Sequence, residues 1–175
     1  MFNRKRNRNP KQRLMMKYYA GIGSRETPIE LKETIKTIVQ FLNEKNYTLR
    51  SGGAEGADSF FEEFALKKEI FLPWRGFNNN NSLLFEPTTE AFLTAERYHP
   101  RFKSLSFGAK KLMARNCHQV LGLDLKTPVE FIVCWTKNGT INGGTGQALR
   151  IAQEYKIPVY NLFFEESLEN ILKNV

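Results

Sequence analysis

Cysteine, histidine and tryptophan each occur only twice in this chain of 175 residues. Cys117 and Cys134 have no C-x-x-C spacing, which excludes a disulfide framework or a thiolate metal site, and both are expected to stay reduced. Cys134 falls in a strand-like run, where a buried thiol is the ordinary outcome. His99 and His118 lack a common ligand spacing, and adjacent Cys117 and His118 would point different ways from a helix, so no metal is expected. No apolar run approaches the ~18–20 residues of a membrane span, which removes the membrane as a partner. The Asn-rich, basic start has no apolar h-region and little serine, so it reads neither as a secretory signal nor as a transit peptide, and a cytoplasmic protein is expected. No internal repeat of fixed period is visible.

Acidic residues are absent from the first 17 positions, and this changes the meaning of the net charge of +8. Arg4, Lys5, Arg6, Arg8, Lys11, Arg13 and Lys17 are seven of the 26 basic residues, so the remaining 19 face 18 acidic ones and nearly balance. The chain therefore divides into a basic arm over 1–17 and one domain over 18–175. Such an arm can hold phosphate backbones without sequence preference, with an affinity that falls steeply with salt. The alternatives are a solvated tail, or translation that starts at Met15 or Met16.

What the sequence does hold is three glycine-rich turns, each between a strand-like and a helix-like run. They are Gly21-Ile-Gly-Ser-Arg25, Ser51-Gly-Gly-Ala-Glu-Gly-Ala-Asp58 and Gly143-Gly-Thr-Gly146. A glycine turn that opens a helix brings backbone N–H groups up to a ligand, and the positive end of the helix favours an anion. A phosphate-binding cleft is the expectation, with Gly23, Ser24, Arg25, Ser51, Gly52, Gly53, Gly56, Gly143, Gly144, Thr145 and Gly146 forming it. The Arg25 guanidinium has the donor fork that suits phosphate, and Ser24 adds a hydroxyl. Asp58, near the start of a helix, is read as organising its loop in preference to catalysing.

Strand signals at 18–22, 47–50, 70–74, 129–135 and 157–162 alternate with amphipathic helical ones. Leu31, Ile35, Ile38, Val39 and Leu42 mark the first helix, and Thr27-Pro-Ile-Glu30 predicts a capping box ahead of it. The alternation implies an α/β, Rossmann-like, doubly wound architecture: a mostly parallel sheet of about five strands with helices on both faces. The stretch of about 75–125 interrupts the pattern as a helical insertion, with helices near 89–98 and 104–117. In open sheets of this kind ligands lie beyond the carboxyl ends of the strands where strand order reverses, and all three glycine turns fall at that edge.

Gly23-Ser-Arg25, Ser51–Asp58, Leu72-Pro73, Ala114-Arg-Asn116 with Gln119-Val-Leu-Gly122, and Gly143-Gly-Thr-Gly-Gln-Ala148 together resemble the ordered motifs of the DNA-processing protein A (DprA/Smf) family. That family belongs to the wider SLOG group, which also holds the lonely-guy nucleotide hydrolases. The likeness runs from about Tyr18 to Leu162 and is similar to the compact, stand-alone form found in phages. It implies binding of single-stranded DNA, a role in DNA processing and recombination, and a recombinase as a partner; a homodimer is compatible with it. It also raises Arg115 and Asn116, which alone would read as a solvated helix end, to site residues for a second phosphate and for a base or ribose.

The lonely-guy enzymes carry P-G-G-x-G-T-x-x-E at the last turn, whereas this chain has Asn142-Gly-Gly-Thr-Gly-Gln-Ala-Leu-Arg150 with no acid at the corresponding place. The first reading is thus a binding protein with no catalytic residue and no cofactor. Nucleoside monophosphate N-glycosidic hydrolysis, with Glu55, Asp58 or Glu62 replacing the missing acid, is the alternative, as is binding of a nucleotide signal.

Overall fold

The computed structural model describes residues 16–175, so the basic arm, apart from Met16 and Lys17, lies outside the described residues. Among the described residues there are six strands: β1 (Lys17–Gly23), β2 (Tyr47–Ser51), β3 (Lys68–Leu72), β4 (Leu84–Phe85), β5 (Phe131–Trp135) and β6 (Val159–Asn161). The helices are α1 (Leu31–Glu44), α2 (Ala57–Phe64), α3 (Thr89–Tyr98), α4 (Phe107–Leu121), α5 (Gly143–Glu154) and α6 (Ser167–Asn174). The strands form one open sheet in the order β4-β3-β2-β1-β5-β6, with every neighbouring pair parallel. Strand order reverses between β1 and β5.

Alternation along the central strands builds two cores. Tyr19, Phe131, Val133 and Trp135 face α1, α2 and α6, where Ile35, Ile38, Val39, Leu42, Phe61 and Ile171 are buried. Ala20, Ile22, Ile132 and Cys134 face the other way, onto α3, α4 and α5 through small residues such as Ala91, Ala95, Ala114, Ala148 and Ala152. A period of two in the strands and of 3.6 in the helices is what lets each element bury one stripe, at roughly 1.5–3 kcal/mol for each large aliphatic side chain. Every residue of β5 is buried, as a central parallel strand requires. Cys117 and Cys134 are free thiols within the second core, and burial pushes both up to about 12.

Three local expectations are corrected. The predicted capping box does not form: the Thr27 hydroxyl donates to the Ser24 carbonyl, and α1 starts at Leu31 with no side-chain cap. A local bond back to the turn after β1, three residues earlier, has taken the hydroxyl that the capping pattern assigned to the helix. A sixth strand, β4, lies inside the stretch read as an insertion, where two residues are too few to leave a periodic signal. Gly21 and Gly23, read as turn residues, lie within β1, and the turn proper begins at Ser24. Among the described residues no helix is long and apolar enough to cross a membrane.

Candidate functional site

The end of β1 and the segments that follow β2 and β5 line a cleft of about 360 Å³ at the reversal point. Gly23, Ser24 and Arg25 line it from β1, Asp58 from α2, Arg115 and Asn116 from α4, and Gly143, Gly144 and Thr145 from the start of α5. Ser51, Gly52, Gly53, Gly56 and Gly146 do not line it. Ser51 donates to the Gly21 carbonyl between the strands, Gly52 donates its N–H to Asp58, the Gly53 carbonyl accepts from Asn78, Gly56 caps α2, and Gly146 is buried inside α5.

Asp58 fastens two turns together. Its Oδ1 accepts the Gly23 N–H at 3.2 Å, and its Oδ2 accepts those of Gly52 at 3.1 Å and Ala54 at 3.4 Å. The residue is 3% exposed, and burial pushes its carboxyl up to about 6 from 3.8 against the opposing pull of Arg115 and the three N–H donors. Between pH 3.8 and about 6 the folded chain thus holds a proton that the unfolded chain has released. Stability from this group therefore rises as pH falls through that window, by about 1.4 kcal/mol per unit, and is at its lowest above pH 6. Denaturant titrations across pH should show the stability difference between the wild type and Asp58→Asn growing on acidification below pH 6. A difference that shrinks there would reverse the sign of the shift.

Arg115 and Asn116 join the second turn to the third. Arg115, 5% exposed, donates through Nη1 to the carbonyls of Gly52 and Phe71, and through Nε to the Asn116 Oδ1 at 2.9 Å. Asn116 Nδ2 donates in turn to the Gly144 carbonyl at 2.8 Å. Burial lowers Arg115 to about 10, with Asp58 raising it and Arg25 lowering it, so the guanidinium stays charged at neutral pH and feels a second cation close by. That cation is exposed. Glu26, its neighbour in sequence, is paired with Lys137 at 3.3 Å, and among the described residues Arg25 has no ion pair.

At the opposite wall, α5 begins with three N–H groups that precede its first turn of hydrogen bonds, since the first one runs from Gly146 N to the Asn142 carbonyl. Asn142 caps none of them; its side chain donates to Thr140. Two guanidiniums and an uncapped helix start therefore converge on one concave surface, the arrangement that binds an anion. The acids weighed as replacements for a missing catalytic group are placed otherwise. Both Asp58 oxygens are occupied by N–H donors, Glu62 is held by Asn80 at 2.9 Å, and neither Glu62 nor Glu55 lines the cleft.

Sequence reasoning missed Ile22, Ala54, Leu112, Met113, Gln119 and Asn142, which also line the cleft. Four cleft residues of α4, at 112, 115, 116 and 119, recur at helical spacing, and that period was the signal that could have added Leu112 and Gln119 to Arg115 and Asn116. No family model and no curated protein sequence matches the chain. Among solved structures it is similar to DNA processing protein A from Helicobacter pylori, a protein with a single-stranded DNA binding mode, at a TM-score of 0.58 and 20% identity over 87% of this chain and 68% of that one. At that identity the likeness carries the architecture: this chain has a DNA-processing-protein-A-like fold, an open parallel sheet whose strand order reverses at the cleft.

Proposed function

We propose that this protein binds single-stranded DNA, seating a backbone phosphate in the cleft between Arg25 and the start of α5, and does so without cleaving it. The observation that carries the reading is that Arg25, without an ion pair among the described residues, lines the same cleft as the uncapped N–H groups at Gly143, Gly144 and Thr145. The DNA-binding neighbour of like fold supports it. The DprA-like motifs at Gly23-Ser-Arg25 and Gly143–Gly146 stand at the ends of the walls that would hold the phosphate. The basic arm over 1–17 supplies additional, salt-sensitive affinity, a recombinase is the partner such a module serves, and a homodimer is its assembly.

Arg25→Ala tests the site. Losing a charge-assisted hydrogen bond to phosphate should weaken single-strand binding by about 1–3 kcal/mol, roughly 5- to 150-fold, while the melting temperature stays at its wild-type value. Fluorescence anisotropy with a labelled oligonucleotide, single- and double-stranded, at two salt concentrations separates this loss from the contribution of the arm. Equal affinities of wild type and variant at the higher salt would remove Arg25 from the site and with it the proposal.

A further inference from the structure

Gln119 is a buried amide with no partner among the described residues. It is 3% exposed and lines the cleft, and among the described residues neither its Oε1 nor its Nε2 makes a hydrogen bond. The one fully enclosed side-chain polar atom without a partner among those residues is the Tyr19 hydroxyl, so the Gln119 amide is open to the cleft. Most buried polar groups in native proteins are bonded within the protein, so an amide at the cleft wall with no protein partner keeps its donor and acceptor for what enters the cleft. The polar groups around it are bonded without it. Arg115 already takes the Gly52 carbonyl, Asn116 takes that of Gly144, and Asp58 takes the Gly52 N–H.

Room has been made for this amide. A Cβ on Gly52 would lie 2.1 Å from Gln119 Nε2, closer than any atom can stand, so the glycine at the end of β2 leaves the space that the side chain fills. Ile22, Leu112 and Met113 line the same cleft and give it apolar walls. Gln119 follows Asn116 by three residues on α4, which places it within one helical turn, about 5.4 Å, along the helix from the residue that touches Gly144. A sugar separates a phosphate from its base on the same scale.

We infer that Gln119 reads the hydrogen-bonding edge of a nucleobase, donating from Nε2 and accepting at Oε1, while the phosphate of the same nucleotide lies at Arg25 and the start of α5. This rests on the phosphate site proposed above. A planar amide with one donor and one acceptor side by side matches the adjacent acceptor and donor that bases such as adenine present. The apolar walls accept the faces of the ring, and the amide selects its edge. In this arrangement the cleft holds one nucleotide of the strand with its base turned inward.

The test compares an oligodeoxyadenylate with an abasic strand of equal length and equal charge, titrated into wild-type protein, Gln119→Leu and Gln119→Met at a salt concentration that suppresses non-specific binding. Wild-type protein should bind the strand with bases about tenfold or more tighter than the abasic one. Both variants should lose most of that advantage and keep the abasic affinity, with unchanged melting temperatures. Variants that retain the full advantage, or a wild-type protein that shows none, overturn the inference. Equal losses on both strands overturn it as well, since Gln119 would then be structural. Wild-type protein that ignores the abasic strand overturns the phosphate site itself, a failure distinct from the others because it needs no variant to be seen.

Discussion

Asp58→Ala should cost the fold about 3–5 kcal/mol, the usual scale for removing one partner from a buried charged arrangement. The carboxylate accepts the N–H groups of Gly23, Gly52 and Ala54, and among the described residues no other acceptor is seen for them where β1 and β2 deliver their chains to the cleft. Each donor left buried and unpaired costs roughly 1–3 kcal/mol, and Arg115 loses the negative charge that raises its own proton affinity. Urea denaturation at neutral pH measures the loss directly, and binding of the DNA strand should fall with it because both turns lose their common anchor. A loss under about 1 kcal/mol would show that solvent satisfies the three donors, contrary to their burial.

Gly56→Ala should be nearly as damaging, through backbone geometry and overlap instead of charge. Gly56 has φ +79°, a region that side chains disfavour by about 1–3 kcal/mol, and it caps the start of α2. A Cβ there would stand 2.4 Å from the Ser24 carbonyl oxygen and 2.9 Å from the Arg25 Cα, both backbone atoms that cannot swing aside, which adds about 1–3 kcal/mol of overpacking. The overlap pushes on the turn that carries Arg25, so the variant should lose DNA affinity as well as stability. Gly108→Ala is the matched control. It lies in α4 with nothing within 4 Å of its added methyl, and its melting temperature should stay level or rise slightly. Equal behaviour of the two variants would refute the close approach between α2 and the turn after β1.

The architecture was readable from the chain because it depends on period. Tyr19 against Ala20 and Phe131 against Ile132 set the two faces of the sheet, the stripe of Ile35, Ile38, Val39 and Leu42 set the helix above it, and repeated alternation left few topologies to choose among. The glycine turns were readable for the same local reason, as breaks between periodic runs. Two readings failed for different reasons: Thr27 gave its hydroxyl to a competing local acceptor, the Ser24 carbonyl, and left α1 uncapped, and β4 formed from two residues because β3 offered it an edge.

The site divides along the same line. Arg25, Asp58 and Gly143–Thr145 could be named from type and position, Asp58 as the organiser of its loop, whereas Arg115 and Asn116 were raised only by the family resemblance; the partners of each were not legible. Only the folded chain turns the Arg115 guanidinium onto Gly52, threads Asn116 between Arg115 and Gly144, aims both Asp58 oxygens at backbone N–H groups, and leaves Arg25 and the Gln119 amide without partners. Sequence by itself determined five of the six strands and the helices on both faces of the sheet, because these follow from short-range periodicity. Tertiary structure decided which polar groups are consumed by the protein and which face the cleft, because a hydrogen bond is made or left open by the position of residues far apart in the chain.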